Sequence, residues 1–484
     1  MKYALGRRIH ISWMIAAAAA AIFIGVWLAK YVPLGAFTEI VWLLTGLLLC
    51  ASCFIWGYSW MILFALTGGL LIGLWRGSSA ETALTAYEQL RGKTIVINGI
   101  VSDDADEDKQ GNTVMRLKDI SFGEHHLPGQ LWISLAKKLP VERSDRVTVR
   151  GALTDGFGTF SSSMYRATLE KDVRPEPGDV ALHVRDWFSG LVRKAIPEPE
   201  SSLGVGFLVG QRRSLPETLD SALKLAGLTH IVVASGYNLT ILVRLARRLF
   251  EKVSKHLATV ASGGLILCFV AVTGLSPSMS RAGLVAGLSL AAWYYGRKFH
   301  PLVLLAIAVV VTVLVNPLYA WGDIGWQLSF AAFAGVMILA PLLQAFYFGD
   351  KKPGIVRQIL GETIAATLMT APILISTFGY ISNVAIVANL LILPLVPLAM
   401  LLTFIAGIGA LVFGGAATLF GFPAHLLLTY MVKTTEYFAG LPWAKTELVV
   451  GPWQVVGLYT LLIVFMGYIW WRTKLNLRDS NLVE

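Results

Sequence analysis

Apolar runs of membrane-crossing length recur along nearly the whole chain, at residues 13–29, 39–55, 57–75, 231–249, 258–275, 277–296, 301–315, 324–345, 358–379, 384–408, 411–432 and 453–471. Hydrocarbon offers backbone N–H and C=O groups no partner, so such runs must be helices that satisfy their own hydrogen bonds. The expected fold class is a polytopic α-helical membrane protein with about twelve spans. Composition agrees: 55% of the 484 residues are hydrophobic and 14% charged, whereas soluble domains carry roughly a quarter charged residues. The formal net charge of +10 does not by itself call for nucleic acid, because multi-span proteins keep Lys and Arg on their cytoplasmic loops whatever they carry. Cys50, Cys53 and Cys268 all lie in apolar runs, and the Cys50/Cys53 pair has no second pair or histidines beside it. Neither a zinc site nor a disulfide is expected. Arg7 and Arg8 precede a first run without a persuasive cleavage site before Lys30, so it reads as a retained span.

Residues 1–78 form the N-terminal membrane spans, with a tight helical hairpin bending near Gly57. Composition turns polar over 79–175, where short β-branched runs at 94–101, 113–118, 130–135, 146–151 and 163–169 alternate with Gly, Asp, Asn and Pro clusters. Five such strands fit a small inserted OB-like β-barrel. Residues 176–228 read as interfacial amphipathic helices. The first, 180–196, sets Val184, Trp187, Phe188, Leu191 and Val192 opposite Arg185, Arg193 and Lys194. The second, 215–226, is announced by a capping box from Ser214 to Glu217. A membrane core follows over 229–475, then a short polar tail, 476–484. Basic residues concentrate at 244–255, 297–298, 351–357 and 472–474, with Lys2, Arg7 and Arg8. Placing these in the cytoplasm puts both termini inside and the strand-rich domain outside.

Three polar clusters interrupt the apolar core at 229–240, 276–282 and 316–329. Polar and helix-breaking residues at membrane depth are costly unless they line a protein-enclosed, hydrated path. In the first cluster Ser235-Gly236 sits mid-run, with His230 and Asn238 flanking it. A break there gives a half-helix whose backbone faces a cavity, or else a kinked helix whose Ser235 and Asn238 bond neighbouring helices. In the second, Arg281 is drawn below the interface at a cost of about 3 kcal/mol unless paired or hydrated. Asp323 in the third cluster is its candidate partner, with Gln327 and Ser329 following; the alternative is a snorkelling Arg281 and an Asp323 that caps the next helix. The candidate path is thus His230, Ser235, Gly236, Asn238, Arg281, Asp323 and Gln327. On the β domain, Arg116, Lys118, Trp132, Lys137, Lys138, Arg146 and Arg150 form a candidate DNA-binding patch, with Trp132 and Tyr165 as stacking platforms. Acidic residues between Asp103 and Asp108 oppose any general basic surface, and an ordinary solvated face is the competing reading. Gly92-Lys93-Thr94 lacks the glycine a P-loop needs at position 87, and the histidines form no metal-binding array. No cofactor, metal or enzymatic activity is expected.

At these same residues the chain resembles the ComEC-type competence proteins. Gly227-Leu-Thr-His230 with Ala234-Ser-Gly236 is similar to the family's G-L-x-H-x-x-x-x-S-G stretch, 276–282 to its P-S-x-x-R-A element, and 316–330 to its N-P and D-x-G-F-Q-L-S-F elements. Order and spacing agree over about 200–345. Tyr237-Asn238 stands where the family usually has L-H, and Trp326 replaces Phe. The metallo-β-lactamase-like nuclease domain of many members has no counterpart in the sequence. The resemblance implies a cytoplasmic-membrane channel conducting single-stranded DNA into the cytoplasm during natural transformation, in contact with membrane lipids. It also implies a separate DNA-pulling ATPase and a DNA receptor, with any nuclease a separate protein; oligomeric state is left open. Two other readings are carried: a transporter of a smaller anionic solute or lipid-linked substrate, and an intramembrane serine hydrolase built on Ser235.

Overall fold

The computed structural model describes residues 10–56, 58–108, 110–176, 178–211, 215–232, 236–274, 277–296, 300–349 and 353–475. Helices α1 (Ile11–Ala29), α2 (Ile40–Trp56) and α3 (Ile62–Leu84) precede seven strands: β1 (Thr94–Val101), β2 (Asp106–Glu107), β3 (Thr113–Phe122), β4 (His125–Leu127), β5 (Leu131–Leu135), β6 (Arg146–Asp155) and β7 (Ser162–Val173). Then come α4 (Val180–Ala195), α5 (Glu200–Val209), α6 (Glu217–Leu225), α7 (Thr229–Val232), α8 (Gly236–Phe250), α9 (Lys255–Thr273), α10 (Pro277–Tyr294), α11 (Pro301–Val315), α12 (Leu318–Gly322), α13 (Ile324–Ala334) and α14 (Ala340–Phe348). The chain closes with α15 (Ile355–Phe378), β8 (Tyr380–Ser382), α16 (Ala385–Ile392), α17 (Val396–Val412), α18 (Ala417–Ala439), β9 (Lys445–Glu447) and α19 (Pro452–Thr473). Two compact units result: 1–179 with 302–324, and 180–301 with 325–484.

Among the described residues eight helical stretches are long and apolar enough to cross a membrane, which makes this a multi-pass membrane protein. That is fewer than the sequence suggests, for a physical reason. The runs at 39–55 and 301–315 give shorter apolar helices. Of the run at 231–249 the described residues give α7 and the strongly amphipathic α8, with 233–235 outside them, and α10 begins with the polar stretch around Arg281.

In the first unit α3 lies against α1 along a stripe of small residues. A Cβ on Gly69 or Gly73 would overlap the carbonyl oxygen of Ala18 or Ile22, and one on Gly25 that of Leu70. On its other side Gly68 approaches Gly46 of α2, where a Cβ would meet the opposite carbonyl oxygen at 2.7 Å. Lipid gives apolar helices no hydrophobic reason to associate, so close backbone approach through small residues supplies the dispersion energy instead. Helix α11 joins this unit through its end: Arg76 of α3 donates from Nε to the Leu314 carbonyl at 2.7 Å and from a terminal nitrogen to that of Val315 at 3.0 Å. Trp321 donates to the Val26 carbonyl at 2.8 Å. The thiols of Cys50 and Cys53 are unlinked, as their sequence context suggests.

A 3-10 turn at Thr85–Leu90 carries α3 into the β domain, where the wholly buried Tyr87 joins the strand core and donates to the Pro128 carbonyl at 2.7 Å. Strand β1 pairs antiparallel with both β3 and β6, β3 with β5, and β6 with β7, while β5 and β7 run parallel. Taking the five long strands as one to five in sequence, the ring closes in the order 1-2-3-5-4, an OB-like barrel. All five strands read from the sequence are present; β2 and β4 are short additions on β3 that it did not reveal. Inward positions alternate, with Ile97, Met115, Leu117, Ile133, Val149 and Met164 filling the interior.

In the second unit α5 is buried along its length from Glu200 to Phe207, packed between α17 and α18, with Gly204 set against Thr403 and Leu428. Helix α4 presses Leu191 and Val192 into the same core, and Phe188 fills the space over Gly407. Val184 and Trp187 of α4 stay exposed, while Arg185 is buried and ion-paired to Asp186. The second amphipathic helix begins at Glu217, with Pro216 at its N-cap and no side-chain bond there; Ser214 lies outside the described residues, as does Gly57. Between α13 and α14 the helix widens to a π turn at Gly335–Leu339, just ahead of Pro341, whose missing N–H breaks the α-helical ladder.

Gly73→Ile is expected to overpack the α1–α3 contact and cost about 1–3 kcal/mol, read as a lower thermal-unfolding midpoint of the detergent-solubilised protein. Gly264→Ala, where a Cβ meets open space, should leave the midpoint unchanged.

Candidate translocation site and nucleic-acid face

Each of the three polar clusters follows a helix end: α6 ends at Leu225 ahead of the first, α9 at Thr273 ahead of the second and α11 at Val315 ahead of the third. In the first, α6 stops at Leu225, whose carbonyl accepts the Ser382 hydroxyl at 2.6 Å. Gly227 follows with φ +71° and with Ala385 so near that a Cβ would sit 2.6 Å from its side chain. Only glycine satisfies both demands. Helix α7 then brings up Thr229 and His230, whose side chain is exposed. Residues 233–235, Ser235 among them, lie outside the described residues; α8 starts at Gly236, also exposed. Asn238 is wholly buried, and its amide nitrogen donates to the Phe207 carbonyl at 3.1 Å and the Ile231 carbonyl at 3.2 Å. It ties α5, α7 and α8 together.

In the second cluster α9 ends at Thr273 and α10 begins at Pro277, after Gly274 with φ +89°. Arg281 is only 5% exposed, and a terminal nitrogen donates to the Gly325 carbonyl at 3.1 Å, in the first turn of α13. That carbonyl is two residues before the half-buried Gln327, so Arg281 bonds the turn of α13 from which Gln327 also projects. In the third cluster α11 ends at Val315, where Arg76 covers the last carbonyls, and the Asn316 side chain accepts the Leu318 N–H at 3.1 Å. Asp323 is extended between α12 and α13. It belongs to the first compact unit and Arg281 to the second, so their pairing is carried forward as a proposal.

On the barrel, Arg116 and Trp132 are direct cross-strand partners on the outward face of β3 and β5, with Lys118 two residues along. Trp132 meets the Tyr165 ring at 5.0 Å between centroids and the Phe157 ring at 5.6 Å, and Phe157 meets Phe160 at 5.3 Å. Tyr165 and Phe157 are about half exposed. This is a continuous aromatic surface on the third and fifth barrel strands and the loop joining the fourth to the fifth. The acidic loop between the first two barrel strands lies alongside. Asp103 and Asp106 pair with Arg116 at 3.6 and 3.4 Å, and Glu107 with Lys138 at 2.6 Å. Bonds from the Asn112 backbone and side chain hold the Asp108 carboxyl below its usual range and shape that loop. Arg150 is paired with Glu170, and it shares β6 with Arg146, away from Trp132. Lys118, Lys137 and Arg146 are exposed and have no ion pair among the described contacts. The seven residues named from the sequence therefore form two groups rather than one, and the aromatic centre includes Phe157 and Phe160, which sequence reasoning missed. Their signal was visible: two phenylalanines beside glycines in a turn between strands, where no core position exists to bury them.

The model of the competence protein family matches residues 207–473, which is more than half of the chain and contains all three interruptions. The chain belongs to the competence protein family. It is 23% identical over 235 residues to ComE operon protein 3 of Bacillus subtilis (strain 168), a match covering 47% of this chain and 29% of that protein. The matched part is therefore under a third of the length of that relative. No solved structure matches the chain significantly.

Asn238→Asp keeps the shape and removes the donor, leaving the Phe207 and Ile231 carbonyls buried without a bond. A loss of about 2–4 kcal/mol is expected from two unsatisfied acceptors facing a carboxylate, measured as a fall in unfolding midpoint and new proteolytic cleavage between α6 and α8. Thermal stability equal to the unsubstituted protein would show that the amide does not clamp the break.

Proposed function

We propose that this protein conducts single-stranded DNA across the cytoplasmic membrane during natural transformation. The observation that carries the reading is the position of all three polar motifs next to helix ends in a chain of the competence family. Broken helices with polar lining are how membrane proteins build a hydrated path, since irregular backbone at depth is tolerated only against protein or water. His230, Ser235, Gly236, Arg281, Asp323 and Gln327 line that path; Asn238 belongs to it as the clamp that holds its wall. Arg281 and Asp323 act as a pair, the acid offsetting the desolvation of the buried guanidinium. The β-barrel lies outside the cell and stacks the incoming strand on Trp132, Tyr165 and Phe157, with Lys118 and Arg116 against its phosphates. Stacking suits a cargo of arbitrary sequence, because every base presents a π face. A motor and a receptor are supplied by other proteins; membership of the competence protein family supports that setting.

Entry of radiolabelled DNA into cells tests conduction: deletion of the gene should abolish it, and unchanged entry would remove the reading. Arg281→Ala and Asp323→Ala should each cut entry at least tenfold, with the double variant no worse than either, as expected of coupled residues. Wild-type entry in all three would refute the pair.

On the barrel, Trp132→Ala and Tyr165→Ala should each cost about 1–3 kcal/mol in affinity for oligothymidylate, measured by fluorescence anisotropy. Asp106→Asn, which leaves Arg116 only its contact with Asp103, should tighten it by about two- to fivefold.

A further inference from the structure

We infer that Arg166 of β7 is a phosphate-binding residue of the barrel, set beside the aromatic surface by a β-bulge whose extra residue it is. The inference rests on the barrel's part in the proposed function and names a cation that holds the strand there. Along β7, Met164 and Ala167 are both buried in the barrel interior, while Tyr165 and Arg166 between them are both exposed. Strict alternation would turn one of any two successive residues inward. Both flanking strands show why the rule fails here. On β5, Ile133 pairs with Met164 and Leu135 with Ala167, so the single residue Ser134 faces two residues of β7. On β6, Leu153 pairs with Met164 and Arg150 with Thr168, so Gly151 and Ala152 together face three. One residue is therefore in excess on β7, and Arg166 takes it up with φ +52°.

That conformation is uncommon and strained for an arginine; Asn or Gly would adopt it at less cost. Arg166 fills no part of the core, so a re-aimed side chain beside an exposed aromatic surface points to binding rather than packing. It follows Tyr165 directly, and the Tyr165 ring lies 5.0 Å from that of Trp132. A base stacked on those rings carries its phosphate to one side, where a guanidinium one residue away can donate to two of the phosphate oxygens. The acids nearby are already engaged. Asp103 and Asp106 pair with Arg116. Asp108 accepts the hydroxyl of Ser134, opposite the bulge, at 3.3 Å, and the Gln110 and Asn112 N–H groups at 2.8 and 2.9 Å. Arg166 forms no ion pair among the described residues, so an incoming phosphate reaches it without displacing a carboxylate. The ligand is a single-stranded polynucleotide of any sequence, since neither stacking nor a phosphate contact reads the base.

The test uses the full chain in detergent and the anisotropy of a fluorescein-labelled oligothymidylate titrated at several KCl concentrations, with the unfolding midpoint measured for each variant. Arg166→Gln should weaken binding about three- to tenfold and lower the log–log salt slope by about 0.7, the share of one phosphate contact on a single strand. Arg166→Lys should keep the slope. Arg166→Asn should bind like Arg166→Gln while its midpoint stays level or rises, since asparagine accepts a positive φ more readily; a purely structural arginine would lose stability and binding together. Lys171→Gln, five residues or roughly 16 Å further along the same strand, should leave affinity and slope unchanged. An unchanged slope in Arg166→Gln, an equal loss in Lys171→Gln, or a fallen midpoint in Arg166→Asn would overturn the assignment. If Trp132→Ala and Tyr165→Ala still weaken binding in that event, the aromatic surface stands and Arg166 alone is removed from it. Full affinity in Trp132→Ala and Tyr165→Ala would instead sink the barrel's part in the proposed function.

Discussion

The freed carbonyl at a broken helix end governs this structure more than any hydrophobic contact. In a membrane such a group has no water to fall back on, and leaving it bare costs several kcal/mol. The chain answers with donors borrowed from other elements: Arg76 for Leu314 and Val315, Ser382 for Leu225, and Asn238 for Ile231 and Phe207. Each donor is distant in sequence from at least one carbonyl it serves. These helix ends are therefore fixed by tertiary structure rather than frayed. Arg76 serves two of them at once, since a guanidinium carries several N–H groups on an apolar stem.

Small residues are the complement of these donors. Where Gly69 and Gly73 meet α1, or Gly204 meets Thr403, backbones approach closely enough that any side chain would collide. Gly227 joins the two devices, since it reverses the chain after α6 and leaves room for Ala385 beside the hydroxyl donor Ser382. The precise placing of His230 and Asn238 follows from that junction, so a change at Gly227 would disturb the first polar cluster without altering any of its polar residues.

Much of this was legible in the sequence, and what was not has a physical cause. The β-branched runs identified all five barrel strands because alternation with a period of two leaves its mark on composition. The ring order was not readable, as it depends on pairings between strands far apart in the chain, such as the parallel contact of β5 with β7. The three polar clusters stood out because polar groups in apolar runs are costly. Their partners did not, since nothing local to Asn238 points to Phe207.

The barrel surface proposed to meet DNA has a design that follows from the nature of a polyanion. A row of bare cations would hold a strand too tightly to release it and would attract small anions when idle; conduction requires binding weak enough to leave as well as favourable enough to enter. On the barrel, Arg116 is engaged by Asp103 and Asp106, Lys138 by Glu107 and Arg150 by Glu170. There a carboxylate holds each of these cations in reserve, and a phosphate must compete for it. Each phosphate then gains only the difference between two ion pairs, which keeps the free-energy profile shallow and lets a separate motor draw the strand onward without pausing at any one contact.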